Sequence, residues 1–341
     1  MKKKQTYYSL FLILIIGVAI ILGISFLKSG SKSVNQSVLS NRTFTGSLPT
    51  TIITKEATAF RIDRTAKELV LIAEDKARIF STNNSVSYSI PTNEAWNAFA
   101  INDSLFIYGE RNNSLYAVHT NTLKKIMPVD SADDNVLFTG DHLFYGNELS
   151  KPGTKYQIRD LKNPAFACNI TNALDQSLQG IDSICQFNFL EGILVDHDQS
   201  SFLFLPYRLS SIAIINKLTA KVTLVKSIDP RKRVNLASIE TKMPNGGVMI
   251  TCQPIDGVDI LQNAATTSTK YLYILTTSVI DTLQYQYQVV DVYKKHSLEY
   301  LFSLKIKLPD KQRYFLDMEW IKDELFFLDN QGEVSKTSYH E

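Results

Sequence analysis

A chain of 341 residues with 44% hydrophobic residues, including 18 Phe and 16 Tyr, has a folding composition and can bury a large core, which excludes an intrinsically disordered protein. Lys and Arg number 36 against 34 Asp and Glu, and part of the surplus sits in the first four residues, so the charge footprint of a nucleic-acid binder is missing.

Lys2, Lys3 and Lys4 precede an uncharged apolar run from Ser9 to Leu27, and the next charge is Lys28. At about 1.5 Å per helical residue this run spans roughly 28 Å, close to the hydrocarbon thickness of a bilayer. A cleaved secretory signal has a shorter apolar region and a small-residue cleavage site, whereas this run ends in Ile24-Ser-Phe-Leu-Lys. The reading is therefore a retained anchor at residues 9–27 with a cytoplasmic tail at 1–8, the lysine cluster keeping that end inside. The rest of the chain then lies in the periplasm or outside the cell. Residues 28–49, rich in Ser, Asn, Gly and Thr, read as a flexible linker to a domain at 50–341.

From residue 50 onward the apolar segments are short and repeat one phrase: a polar or acidic turn, an aromatic-aliphatic strand, a gap and a second strand. It occurs at Leu69-Val-Leu-Ile-Ala with Ala77-Arg-Ile-Phe, at Asp103-Ser-Leu-Phe-Ile-Tyr with Ser114-Leu-Tyr-Ala, and at Asp141-His-Leu-Phe-Tyr with Lys155-Tyr-Gln-Ile. It returns at Ser201-Phe-Leu-Phe-Leu with Ser211-Ile-Ala-Ile-Ile, at Tyr271-Leu-Tyr-Ile-Leu with Tyr287-Gln-Val-Val-Asp, and at Asp323-Glu-Leu-Phe-Phe with Gly332-Glu-Val-Ser. The spacings are irregular but centre near the ~40–50 residues of a four-stranded propeller blade. The fold expected is all-β, a six-bladed β-propeller of four-stranded antiparallel blades preceded by one transmembrane helix. The last unit is one strand short, so a strand from about Thr51 to Phe60 is expected to complete it and seal the ring. The repeat is stretched at 168–192 and at 235–269.

The segments Tyr287-Gln-Val-Val-Asp-Val-Tyr, Leu298-Glu-Tyr-Leu-Phe-Ser-Leu-Lys-Ile and Leu115-Tyr-Ala-Val-His-Thr-Asn-Thr-Leu resemble the strand-turn-strand of six-bladed propellers in the NHL- and TolB-like group. Phe204-Leu-Pro-Tyr-Arg through Lys226-Ser-Ile-Asp-Pro resembles membrane-tethered bacterial propellers. The likeness covers most of residues 50–338, rests on packing and turn residues, and implies fold rather than activity.

Chemistry-bearing residues are sparse. Three cysteines allow at most one disulfide and a leftover thiol; the pairing expected is Cys168 with Cys185, which bracket a polar loop. Without C-x-x-C, C-x-x-C-H, H-E-x-x-H or a phosphate-cradling glycine motif, no redox pair, cofactor, helix-borne metal site or catalytic residue is assigned. Asp196-His197-Asp198 is the densest group of possible ligands and equally fits a turn. Arg231-Lys232-Arg233 could grip an anionic partner or a lipid headgroup, or form an exposed turn. Asp130, Asp133 and Asp134 suggest calcium, but Ala132 stands at a ligand position and no Gly follows. The function expected is a membrane-anchored binding or scaffolding module for an envelope protein, peptide or glycan. The alternative is a propeller enzyme using the central funnel: a hydrolase, a lactonase or a quinoprotein-type dehydrogenase subunit.

Overall fold

The computed structural model describes residues 38–339 apart from 65–67, 74, 81–85, 92–94, 102–103, 110–113, 118–121, 126–134, 140–141, 149–155, 161–164, 183 and 245. The expected tail and anchor, much of the linker and the aspartates near 130 lie outside the described residues. Among the described residues no helix is long and apolar enough to cross a membrane.

Two short strands, β1 (Phe44–Leu48) and β2 (Thr51–Lys55), come first and join sheets built from the far end of the sequence. Antiparallel meanders follow. The first is β3 (Ala59–Arg64), β4 (Leu69–Ala73), β5 (Lys76–Phe80) and β6 (Val86–Pro91); the second is β7 (Ala95–Ile101), β8 (Ser104–Gly109), β9 (Ser114–Ala117) and β10 (Thr122–Lys125). A third comprises β11 (Asn135–Thr139), β12 (His142–Glu148), β13 (Tyr156–Asp160) and β14 (Ala167–Asn169). Helix α1 (Ile170–Leu178) and a 3-10 turn at Gln186–Phe189 lead to β15 (Gly192–Asp196), β16 (Ser201–Pro206), β17 (Ser211–Asn216) and β18 (Val222–Lys226). A separate hairpin, β19 (Leu236–Lys242) and β20 (Val248–Pro254), precedes β21 (Gln262–Thr267), β22 (Tyr271–Asp281), β23 (Gln286–Lys294) and β24 (Tyr300–Lys307), with β1 parallel to β24 at the edge. The final meander is β25 (Phe315–Ile321), β26 (Glu324–Asp329) and β27 (Glu333–Ser338), and β2 pairs antiparallel with β27 as its fourth strand. The repeated two-strand phrases are the second and third strands of their sheets.

First strands pack on first strands around a closed cycle: β3 on β7, β7 on β11, β11 on β15, β15 on β21, β21 on β25, and β25 back on β3. The architecture is all-β and propeller-like. Burial on both faces explains why second strands such as β4 and β16 are dominated by apolar residues; every residue of these two is buried. In β22, Tyr273 and Leu275 pack with Met318, Trp320 and Phe327 of the next sheet, while Leu272 and Ile274 pack with Leu203, Leu205 and Ile212 of the preceding one. Tyr273 stacks on Trp320 with ring centroids 5.1 Å apart.

The seam depends on the turn before β27. Gly332 has φ +74°, and a Cβ there would lie 1.8 Å from the Glu56 carbonyl oxygen, so only glycine lets the turn approach the start of the chain; Glu56 N–H donates to the Gly332 carbonyl at 2.8 Å. Composition placed residues 42–48 in the linker, but β1 is a strand and Arg42 is buried. The Arg42 Nε and Nη2 donate to the two carboxylate oxygens of Asp291, each at 2.8 Å, and Nη2 lies 3.4 Å from Asp229. A bidentate pair of this kind holds a long-range contact that polarity alone does not announce.

Candidate functional site

Both insertions that interrupt the repeat form ordered structure, and a disulfide joins them. Helix α1 starts at Asn169, whose side chain accepts from the Asn172 N–H at 3.2 Å, and it buries Ile170, Leu174 and Leu178 along one face. The bond is Cys185–Cys252, with Cα atoms 5.6 Å apart and a sequence separation of 67, which corrects the expected Cys168–Cys185 pairing. The reason is placement. Both Cys168 and Cys185 are buried, but Cys168 lies on β14 inside the apolar core, its thiol pushed up to about 12 by desolvation and 3.4 Å from the Ala220 carbonyl, whereas Cys185 lies against Cys252 of β20.

Among the described residues the β19–β20 hairpin has no third strand. Register places Ser238, Glu240, Val248, Ile250 and Cys252 on one face and Ile239, Thr241, Met249 and Thr251 on the other. At its base Cys252 meets Cys185, and Ser238 Oγ donates to Asp182 at 2.6 Å, holding that carboxylate below its usual range. Toward its tip Ile239, Val248, Met249 and Ile250 are all exposed, and Ile184 and Ile255 extend the apolar surface.

The basic run turns inward. Arg231 binds both oxygens of Asp229 at 2.9 and 2.7 Å, and Arg233 donates to the Ser177 and Gln179 carbonyls at the end of α1 at 3.0 and 2.7 Å. The Lys232 carbonyl accepts from Ser210 N–H. Arg231 and Arg233 thus act within the fold.

Asp196, His197 and Asp198 are divided. Asp196 pairs with Lys217 at 3.4 Å. His197 is buried and Asp198 half-buried, and the β23–β24 turn brings His296 beside them, with the two imidazole centroids 6.2 Å apart. Asp198 is held at about 2: burial pushes it up, but hydrogen bonds from Ser201 and Ser200 and the neighbouring His197 outweigh that. His296 carries no local signal, because the residues that meet it are nearly a hundred positions away.

A second cluster that the sequence reading did not pick lies on the first strands β3 and β25. Asp317 accepts from the Ile62 and Met318 N–H groups, each at 2.9 Å, and Glu319 accepts from Thr266 Oγ1 at 2.6 Å and lies 3.1 Å from Arg64 Nε. Arg61 lies 3.8 Å from Asp63. Burial pushes Asp317 up to about 6 and Glu319 up to about 7; the Arg61 charge opposes this at Asp317 and the Arg64 charge at Glu319, but both lose to burial and to the neighbouring carboxylates. Their spacing, Asp317 and Glu319 two apart in an apolar strand, was the available signal. Every one of these carboxylates has backbone or arginine partners, so the cluster binds neighbouring sheets together rather than presenting a free acid and base.

No protein-family model and no curated protein matches the sequence. Among solved structures, U3-55K is similar with a TM-score of 0.50 and 9% identity, over 85% of this chain and 98% of that one. The RRP9 WD40 repeats follow at 0.49 and 8% identity, over 85% and 97%, and the WD40 domain of Neurospora crassa Pan2 at 0.47 and 10% identity, over 86% and 95%. At such identities the likeness concerns fold alone.

Proposed function

We propose that this chain is a membrane-tethered, extracytoplasmic six-bladed propeller of the NHL- and TolB-like kind that binds another envelope protein or an extended peptide through the disulfide-held hairpin. The carrying observation is a two-stranded sheet outside the ring, with exposed apolar side chains and a covalent bond at its base. Isolated hairpins are marginal in water, and this one keeps apolar side chains exposed on both of its faces, as a segment that is covered by a partner would. The cycle of packed first strands, each opening one sheet, supports the six-bladed reading. A cysteine pair joining two surface insertions supports an oxidising compartment, and the apolar run at residues 9–27 supports a tether.

A photo-crosslinking residue at Ile250, compared with one at the exposed Leu283 on the β22–β23 turn, tests the reading in intact membranes. A discrete adduct from position 250 that is absent at 283 and lost in Cys252→Ser is the expected result. Equal adducts at both positions, or none at 250, would sink it.

A further inference from the structure

We propose that His197, Asp198 and His296 form a site for a divalent first-row transition ion of the zinc class, shared between turns of two neighbouring sheets. His197 and Asp198 belong to the β15–β16 turn and His296 to the β23–β24 turn, and one ligand atom from each lies within 4.8 Å of the others.

The His197 ring is fixed by its partners. Its Nε2 is 2.7 Å from the Lys295 carbonyl oxygen, which can only accept, so Nε2 carries the proton and Nδ1 keeps its lone pair. Metal sites hold a ligating imidazole in this way, through the N–H on the far side of the ring. Nδ1 faces Asp198 Oδ2 at 3.5 Å and Ser201 Oγ at 2.8 Å. The Ser201 hydroxyl also lies 2.8 Å from Asp198 Oδ1 and can donate there, leaving Nδ1 available. Asp198 Oδ1 takes two further hydrogen bonds from Ser200, at 2.8 and 2.9 Å, so one carboxylate oxygen is anchored while the other faces the imidazole.

The donor set selects the ion. Two imidazoles and a carboxylate suit zinc, copper, nickel or cobalt, whereas calcium and magnesium take oxygen ligands. Tetrahedral zinc places neighbouring donors about 3.4 Å apart, so donors now within 4.8 Å of one another must close further, which the exposed His296 side chain is free to do. Three protein ligands leave a fourth position for water or for a group on a partner. Two lysines lie nearby: Lys217 Nζ contacts Asp196 and the Asp198 carbonyl oxygen rather than the Asp198 carboxylate, and Lys295 feels the charges of both acids, its own charge disfavoured by burial. Neither motif nor helical spacing could show the site, because its ligands come from separate sheets.

The test is a titration of the purified 341-residue chain with Zn²⁺ alone, followed by equilibrium dialysis and thermal unfolding. One ion bound per chain, a rise in Tm, and four-coordinate visible bands after Co²⁺ loading are expected, with no response to Mg²⁺ or Ca²⁺. His296→Gln, on an exposed residue that leaves the core intact, and Asp198→Asn should each weaken Zn²⁺ at least about tenfold. No retained ion, or wild-type affinity in both variants, would overturn the proposal.

Discussion

The sheet β21–β24 and the hairpin β19–β20 lie close together in the chain and are secured by opposite means. The sheet buries both faces, gains a fifth strand, and ties down its edge with the Arg42 guanidinium on Asp291. The hairpin buries little, leaves both edges unpaired, and is held by a disulfide. Where apolar burial is complete, a noncovalent clamp suffices; where apolar side chains are kept in water, a covalent bond substitutes for the missing core.

Breaking the sheet's clamp should have the largest effect. Arg42→Ala takes the guanidinium from the buried Asp291, while Asp229 keeps Arg231, and is expected to cost about 3–5 kcal/mol, read as a lowered urea midpoint. In the native protein Asp229 is kept ionised against its burial by Arg231 first and Arg42 second, so this loss should shrink on acidification. An unchanged midpoint would mean that β1 and Arg42 are dispensable.

Removing the hairpin's bond comes next. Cys252→Ser should cost about 2–4 kcal/mol, with hydrogen exchange accelerated first in β19, β20 and α1. If β21–β24 exchanged as fast as the hairpin, the two regions would be one cooperative unit and the contrast would fail.

The inner-strand acids sharpen the comparison through pH. Glu319 is pushed up to about 7 in the folded chain from an ordinary 4.5, so its contribution is complete below about pH 4.5 and is lost as pH rises through 7. Glu319→Gln should flatten the stability profile across that window by up to about 3 kcal/mol, since each pKa unit is worth about 1.4 kcal/mol. The smallest effect is expected from Arg233→Ala, which leaves two helix-end carbonyls to water at about 1 kcal/mol, detectable as a small shift in thermal midpoint.

The ring sheets were legible because their information is local: short aromatic and β-branched runs such as Tyr271–Leu275 declare strands wherever they occur. The need for a strand near Thr51 followed from counting, and β2 supplies it. What escaped depended on distant partners. Arg42 looks like a linker residue until Asp291 is placed beside it, and His296 looks like a turn residue until His197 arrives from the neighbouring sheet. The cysteine pairing failed because closeness in sequence misled: Cys168 is held in the strand β14, and the partner of Cys185 comes from the distant β20. Asp317 and Glu319 were readable as charges interrupting an apolar strand, and their fates differ from surface acids because neighbouring sheets cover them.

The seam between β2 and β27 also sets a timetable. A ribosome releases Thr51–Lys55 before, and Glu333–Ser338 after, the other sheets of the ring, so β2 must wait for its partner while all of them are made. Until then the open ring presents unpaired edges on both flanks, and final cooperativity arrives only when the closing residues emerge. That delay keeps the ring unsealed, and therefore threadable, until β27 is made.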